Sequence, residues 1–155
     1  MSFAEFVEKW AHYQTASVTP AALDGAEQRL GTLLPAAYRE GVLAFGAPST
    51  RVSLLKTIVD QDIDIADVQD FFPPFDIVRF TEEWRTLGLP QDLIAFASDC
   101  SGNLFCFKTD ASPERPQDAP VWLWNHEVNR ARSVAATFED WIAAFCRIAR
   151  PALRS

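Results

Sequence analysis

The sequence predicts an α+β domain with an antiparallel or mixed sheet, because helical patterns come first, strand patterns later, and a helix closes the chain. Apolar residues recur at helical spacing through the first half. Three short apolar runs follow, Leu93–Ala97, Leu104–Phe107 and Val121–Trp124, the first two separated by Asp99, Ser101, Gly102 and Asn103 as in a β-hairpin. An amphipathic segment beginning near Phe138 then returns to the helical period. With 155 residues, 48% hydrophobic and 12% aromatic, the chain suits one domain (1–155) with a sizeable core.

Each element has a local reason. Ser2 and Glu5 form a capping-box pattern with Met1 and Phe6 as a staple, so the first helix is expected to start at Ser2 and to place Phe3, Phe6, Val7, Trp10 and Tyr13 on one face. Thr15–Thr19 breaks it. Thr19 caps a second helix with Pro20 at its first position, Leu23, Ala26, Glu27 and Leu30 keep its period, and Gly31 ends it. Leu33-Leu34-Pro35 leads into a third helix lined by Tyr38, Val42 and Phe45, closed by Gly46, with Pro48 preventing continuation. Val52–Val59 is compatible with helix or strand. Ile65, Val68 and Phe72 predict a short helix stopped by Pro73-Pro74. Phe75–Phe80 reads as a short strand on the β-branched Ile77 and Val78, and Thr81 as the cap of a short helix ending at Gly88. Thr109–Pro120 is an irregular loop punctuated by Pro113, Pro116 and Pro120. A last short strand is expected around Ser133–Ala135. Thr137 caps the final helix, Phe138, Trp141, Ile142, Phe145 and Ile148 form its apolar face, and Pro151 ends it. Trp122 and Trp124 share a strand face and are expected to pack under that helix.

Charge is unevenly placed. Asp60, Asp62, Asp64, Asp67, Asp70, Asp76, Glu82 and Glu83 fall in one window whose only base is Arg79, so this segment accounts for the whole net charge of −7. Direct nucleic-acid binding is disfavoured, since phosphate contact needs basic residues. A basic protein partner is favoured, because a block of acids steers one by long-range attraction; the simpler reading is a solvated face. The N-terminus lacks the basic start and apolar core of a signal peptide, and no apolar run is long enough to span a membrane, so a cytoplasmic location is expected.

Sites for chemistry are sparse. Three cysteines, Cys100, Cys106 and Cys146, and two histidines, His12 and His126, contain no CxxC pair, so neither a disulfide framework nor a structural zinc site is expected. Cys100 with His126 as base would make a nucleophile pair, but such a pair needs a held base and an oxyanion hole. Asp99, Ser101 and Asn103 are ordinary turn residues, and Asn125-His126-Glu127 reads as a strand end before it reads as a metal or acid–base site. No Gly-rich phosphate loop occurs. The expectation is no catalytic residue, no metal and no cofactor.

In order, these features resemble the SUKH superfamily, the Smi/Knr-like domain named after yeast cell-wall synthesis regulators. The resemblance runs through Glu27, Leu34-Pro35 and Tyr38, then Gly88-Leu89-Pro90, Phe96-Ala97, Asp99, Gly102 and Asn103, then Val121–Trp124, Asn125-His126-Glu127, Ala135, Phe138 and Trp141. It covers about residues 19–148. Two turns depart from the family pattern: Phe45-Gly46-Ala47-Pro48 stands for the usual Asn-Gly-Gly, and Asn103 for an Asp. The resemblance implies a central, mainly antiparallel sheet packed by N-terminal helices and a C-terminal helix. It also implies a non-enzymatic immunity protein of a bacterial polymorphic or contact-dependent toxin system, binding a cognate toxin domain, often a nuclease or deaminase. The alternative it allows is a regulatory protein-interaction module. The acids from Asp60 to Glu83 are the expected contact surface.

Overall fold

The structure, a computed structural model, describes residues 2–12, 15–110 and 112–150, with only the backbone of Ser2. Five strands form one antiparallel meander in chain order: β1 (Asp70–Phe71), β2 (Leu93–Ser98), β3 (Leu104–Lys108), β4 (Val121–Asn125) and β5 (Arg130–Ala135). Among the described residues, six helices pack around it: α1 (Ser2–Trp10), α2 (Pro20–Leu30), α3 (Ala36–Phe45), α4 (Val52–Asp60), α5 (Pro74–Arg85) and α6 (Phe138–Cys146). The α+β class and the helix-packed antiparallel sheet are as the sequence predicts. No described helix is long and apolar enough to cross a membrane.

Most caps act as read. Thr19 Oγ1 accepts the Ala22 N–H, and Gly31 closes α2 in the left-handed region at φ 69°. Thr137 Oγ1 accepts the Asp140 N–H at the start of α6. The Ser2 side-chain cap, the Met1 staple and Tyr13 on the α1 face lie outside the described residues, and α6 ends at Cys146 with Arg147 as its C-cap, short of the expected stop at Pro151. Gly46 ends α3 at φ 83°, and a Cβ there would sit 2.6 Å from the Ala16 carbonyl oxygen. Gly46→Ala is therefore expected to destabilise the protein by more than the ~1–2 kcal/mol of a left-handed backbone alone, read as a lowered urea midpoint. An unchanged midpoint would show that the 46–47 backbone shifts freely.

Three local expectations are corrected. Ile65, Val68 and Phe72 do not lie on a helix. Their segment is irregular and then extended, because Gln69 and Phe72 donate to the Ser98 and Phe96 carbonyls rather than to their own preceding turn. Phe75–Phe80 is not a strand but the first half of α5, started by Pro74 in the first turn with Asp76 at the positive end of the helix dipole. Thr81 is not a cap: it is buried inside α5, and its hydroxyl accepts the Ala95 N–H of β2 at 3.0 Å. Val52–Val59, open to either reading, is helical.

The core lies mainly on one face of the sheet. There α6 and α3 pack on Phe96, Phe105 and Phe107, with Phe96 and Phe107 stacked at 4.0 Å, and α1 packs against α6 and Phe71. Phe138 packs against Tyr38 (5.6 Å), Phe96 (5.9 Å) and Phe107 (5.7 Å), and Trp141 against Phe105 (4.8 Å). Trp122 and Trp124 do share a face, but it is the opposite one. Their register beside Cys106 and Leu104 turns them away from α6; Trp124 meets Trp84 of α5 at 5.4 Å, and Lys108 lies over the half-buried Trp122.

The proline-rich loop between β3 and β4 is irregular, as read, and ties several elements together. Pro116 and Gln117 carbonyls accept the Ala36 and Ala37 N–H groups at the start of α3. The Asp118 carboxylate accepts the Phe138 and Glu139 N–H groups at the start of α6. Arg115 reaches back to Glu27 of α2, which is 5% exposed and also accepts from Leu34 N–H and Arg39.

Candidate partner-binding site

The eight acids of the 60–83 window do not form one surface. Asp60, Asp62 and Asp64 stand exposed at the C-terminal end of α4 and the loop after it, with Asp60 paired to Lys56 within the helix. Asp62 takes the left-handed backbone that closes α4 (φ 52°), and the Ile63 N–H reaches back to the Ile58 carbonyl. Asp64 lines a depression together with Arg132 of β5 and Arg147, the C-cap of α6.

Asp67 stands apart from the other acids. It is 7% exposed, and its carboxylate accepts the Cys100 N–H at 3.3 Å, so it serves to hold the β2–β3 turn. Asp70 and Asp76 are half-buried. Asp70 accepts from the Ser49 hydroxyl at 2.6 Å, and Asp76 pairs with Arg79 at 3.1 Å. Glu82 and Glu83 sit on the outer side of α5, where Arg29 of α2 reaches Glu82 at 3.2 Å.

Four of these acids border two depressions along α5 that share Arg79. Asp70 and Asp76 line a cleft of about 650 Å³ between β1, α5 and the β2–β3 turn, walled by Phe72, Phe80 and Trp84. Glu82 and Glu83 line a groove of about 400 Å³ with Phe75 and Val78. Arg79 belongs to both, its guanidinium 4.3 Å from the centre of the Phe80 ring. The aromatic and apolar lining was not marked as functional by sequence reasoning. The assignment of Phe75–Phe80 to a strand hid it, since a strand would have placed Phe75 and Ile77 on one face, whereas the helix buries Ile77 and leaves Phe75 outside.

The β2–β3 turn is built for shape. Asp99 Oδ1 accepts the Ser101 and Asn103 N–H groups, and Asp99 Oδ2 accepts from the Asn103 side-chain amide. His126 Nδ1 engages Asn103 Oδ1 at 3.0 Å rather than Cys100. Desolvation, then the neighbouring Asp67 carboxylate, push the Cys100 thiol above its ordinary range, the opposite of what a nucleophilic cysteine needs. Asn125 Oδ1 accepts the Glu127 and Val128 N–H groups, so the Asn125-His126-Glu127 segment is a turn. Among the described residues, no group of three or more His, Cys, Asp or Glu side chains is placed to hold a metal ion.

What this arrangement offers is binding: carboxylates around aromatic and apolar recesses, with guanidiniums already seated among them. No curated protein sequence matches the chain. A family model described as the SMI1 / KNR4 family (SUKH-1) matches residues 17–144.

Proposed function

This chain belongs to the SMI1/KNR4 family (SUKH-1), and from that membership we propose that it is a cytoplasmic, non-enzymatic immunity protein of a bacterial toxin system, which binds and blocks a cognate basic toxin domain. The observation that carries this reading is the disposition of the acidic window. Seven of its eight acids stay at least partly at the surface, only Asp67 being buried, and four of them frame the recesses along α5. A nuclease or other nucleic-acid-directed toxin must attract polyanions, so its active surface is positive. An acidic protein competes for that surface and is steered to it. A regulatory interaction module without a toxin partner is the alternative within the same family.

The exposed acids of the α4–β1 loop are assigned to steering. Asp62→Lys with Asp64→Lys is expected to slow association with the C-terminal domain encoded by the neighbouring open reading frame by roughly tenfold at low salt, with the difference shrinking as salt is raised. Stopped-flow association rates check this. A rate unchanged at low salt would remove that loop from the encounter. Absence of any complex between the wild-type protein and that neighbouring domain would favour the regulatory module.

A further inference from the structure

We infer that α5 is the docking helix of this protein, with Phe75 as the side chain that inserts into a basic protein partner. The inference rests on the inhibitor reading above and names the surface it uses. Phe75 is 77% exposed, the most exposed aromatic among the described residues. A phenylalanine left in water forgoes the burial of a large apolar surface, so Phe75 holds that surface available for a partner. Its neighbour Val78 is half-buried, and together they line the 400 Å³ groove beside α2.

The surroundings point to the partner's chemistry. Across the two depressions, Asp70, Asp76, Glu82 and Glu83 stand against Arg29 and Arg79, so carboxylates outnumber guanidiniums four to two. Both bases are already paired, Arg29 with Glu82 and Arg79 with Asp76, and no described salt bridge engages Asp70 or Glu83. Arg79, lying over Phe80 and beside Asp76, shows what this surface accepts: a guanidinium stacked on an aromatic ring next to a carboxylate. The complementary occupant is a protein face with an apolar recess for Phe75, ringed by arginine or lysine. An aromatic anchor surrounded by a polar rim is the usual arrangement of an interface hot spot. Anchors of this kind hold the formed complex, whereas distant acids act on the encounter.

The test is a set of association and dissociation rates with the C-terminal domain of the protein encoded by the open reading frame next to this gene, for the wild type, Phe75→Ala and Val59→Ala. Val59 is a similarly exposed apolar residue (68%) on α4 and serves as the control. Phe75→Ala is expected to speed dissociation about 30-fold or more, with association changed little and thermal stability retained. Val59→Ala is expected to leave both rates unchanged. A wild-type complex from which Phe75→Ala dissociates no faster overturns the docking helix and leaves the inhibitor reading standing. A wild-type protein that forms no complex overturns the inhibitor reading, and the docking helix with it.

Discussion

Glu27→Ala is expected to destabilise the protein by about 3 kcal/mol, the lower end of the range for removing one partner of a buried ion pair. Glu27 is 5% exposed and answers three donors at once: the Leu34 N–H at 2.6 Å, Arg39 at 2.8 Å, and the fork of Arg115. Truncation leaves the buried Leu34 N–H without its acceptor and two guanidiniums without their carboxylate. The guanidiniums soften the loss, because Arg39 keeps Asp24 at 3.0 Å and Arg115 is 31% exposed. The effect should spread beyond the ion cluster. Arg115 tethers the loop whose Pro116 and Gln117 carbonyls and Asp118 carboxylate hold the starts of α3 and α6. Urea denaturation of wild type, Glu27→Ala and Glu27→Gln checks this, with Gln intermediate because it keeps an acceptor for Leu34. A loss below about 1 kcal/mol for Ala would mean that water replaces the carboxylate as it would at an exposed pair.

Phe138→Ala is expected to cost about 3–5 kcal/mol, as for other large-to-small changes at aromatic core positions. Its ring is fully buried, and the rings of Phe3, Tyr38, Phe71, Phe96, Phe107 and Trp141 surround it at 5.6–6.4 Å between centres. Such an aromatic shell spans α1, α3, α6 and the sheet, so it collapses poorly into a void. Phe138→Leu should cost clearly less. Equal losses for Leu and Ala would show that ring shape, rather than the cavity, sets the cost. Either Glu27→Ala or Phe138→Ala alone removes a large part of the ~5–15 kcal/mol typical of a domain. The two are expected to be non-additive, since Asp118, on the loop tethered through Glu27, also holds the Phe138 N–H.

Legibility along this chain followed the range of the interactions involved. Thr19-Pro20, Gly31, Gly46 and Thr137 mark helix ends through contacts within a few residues, and they mark them correctly. The hairpin is equally local, because Asp99 and Asn103 close their own turn. Misreadings concentrate between Ile65 and Thr81. There the β-branched Ile77 and Val78 favour a strand by propensity, while Pro74 in the first turn and the buried pair Ile77 and Thr81, four apart, favour the helix that forms. Of the candidate site, the acids were legible by composition alone. Their division into an exposed group after α4, a buried Asp67 at the β2–β3 turn and a group along α5 was not, since Asp67, Asp70 and Glu82 are placed by contacts with Cys100, Ser49 and Arg29, far away in sequence.

By itself, then, the amino-acid order determined the α+β class, the order of helices and strands at both ends, the family and the acidic character of the protein, because periodicity, caps and charge are properties of short segments. Tertiary structure alone decided which face Trp122 and Trp124 cover, that Glu27 joins α2 to a loop 88 residues away, and that Phe75 stays in water among carboxylates. Those outcomes depend on strand register, helix phase and long-range pairing, and all three are settled only when distant parts of the chain compete for the same core.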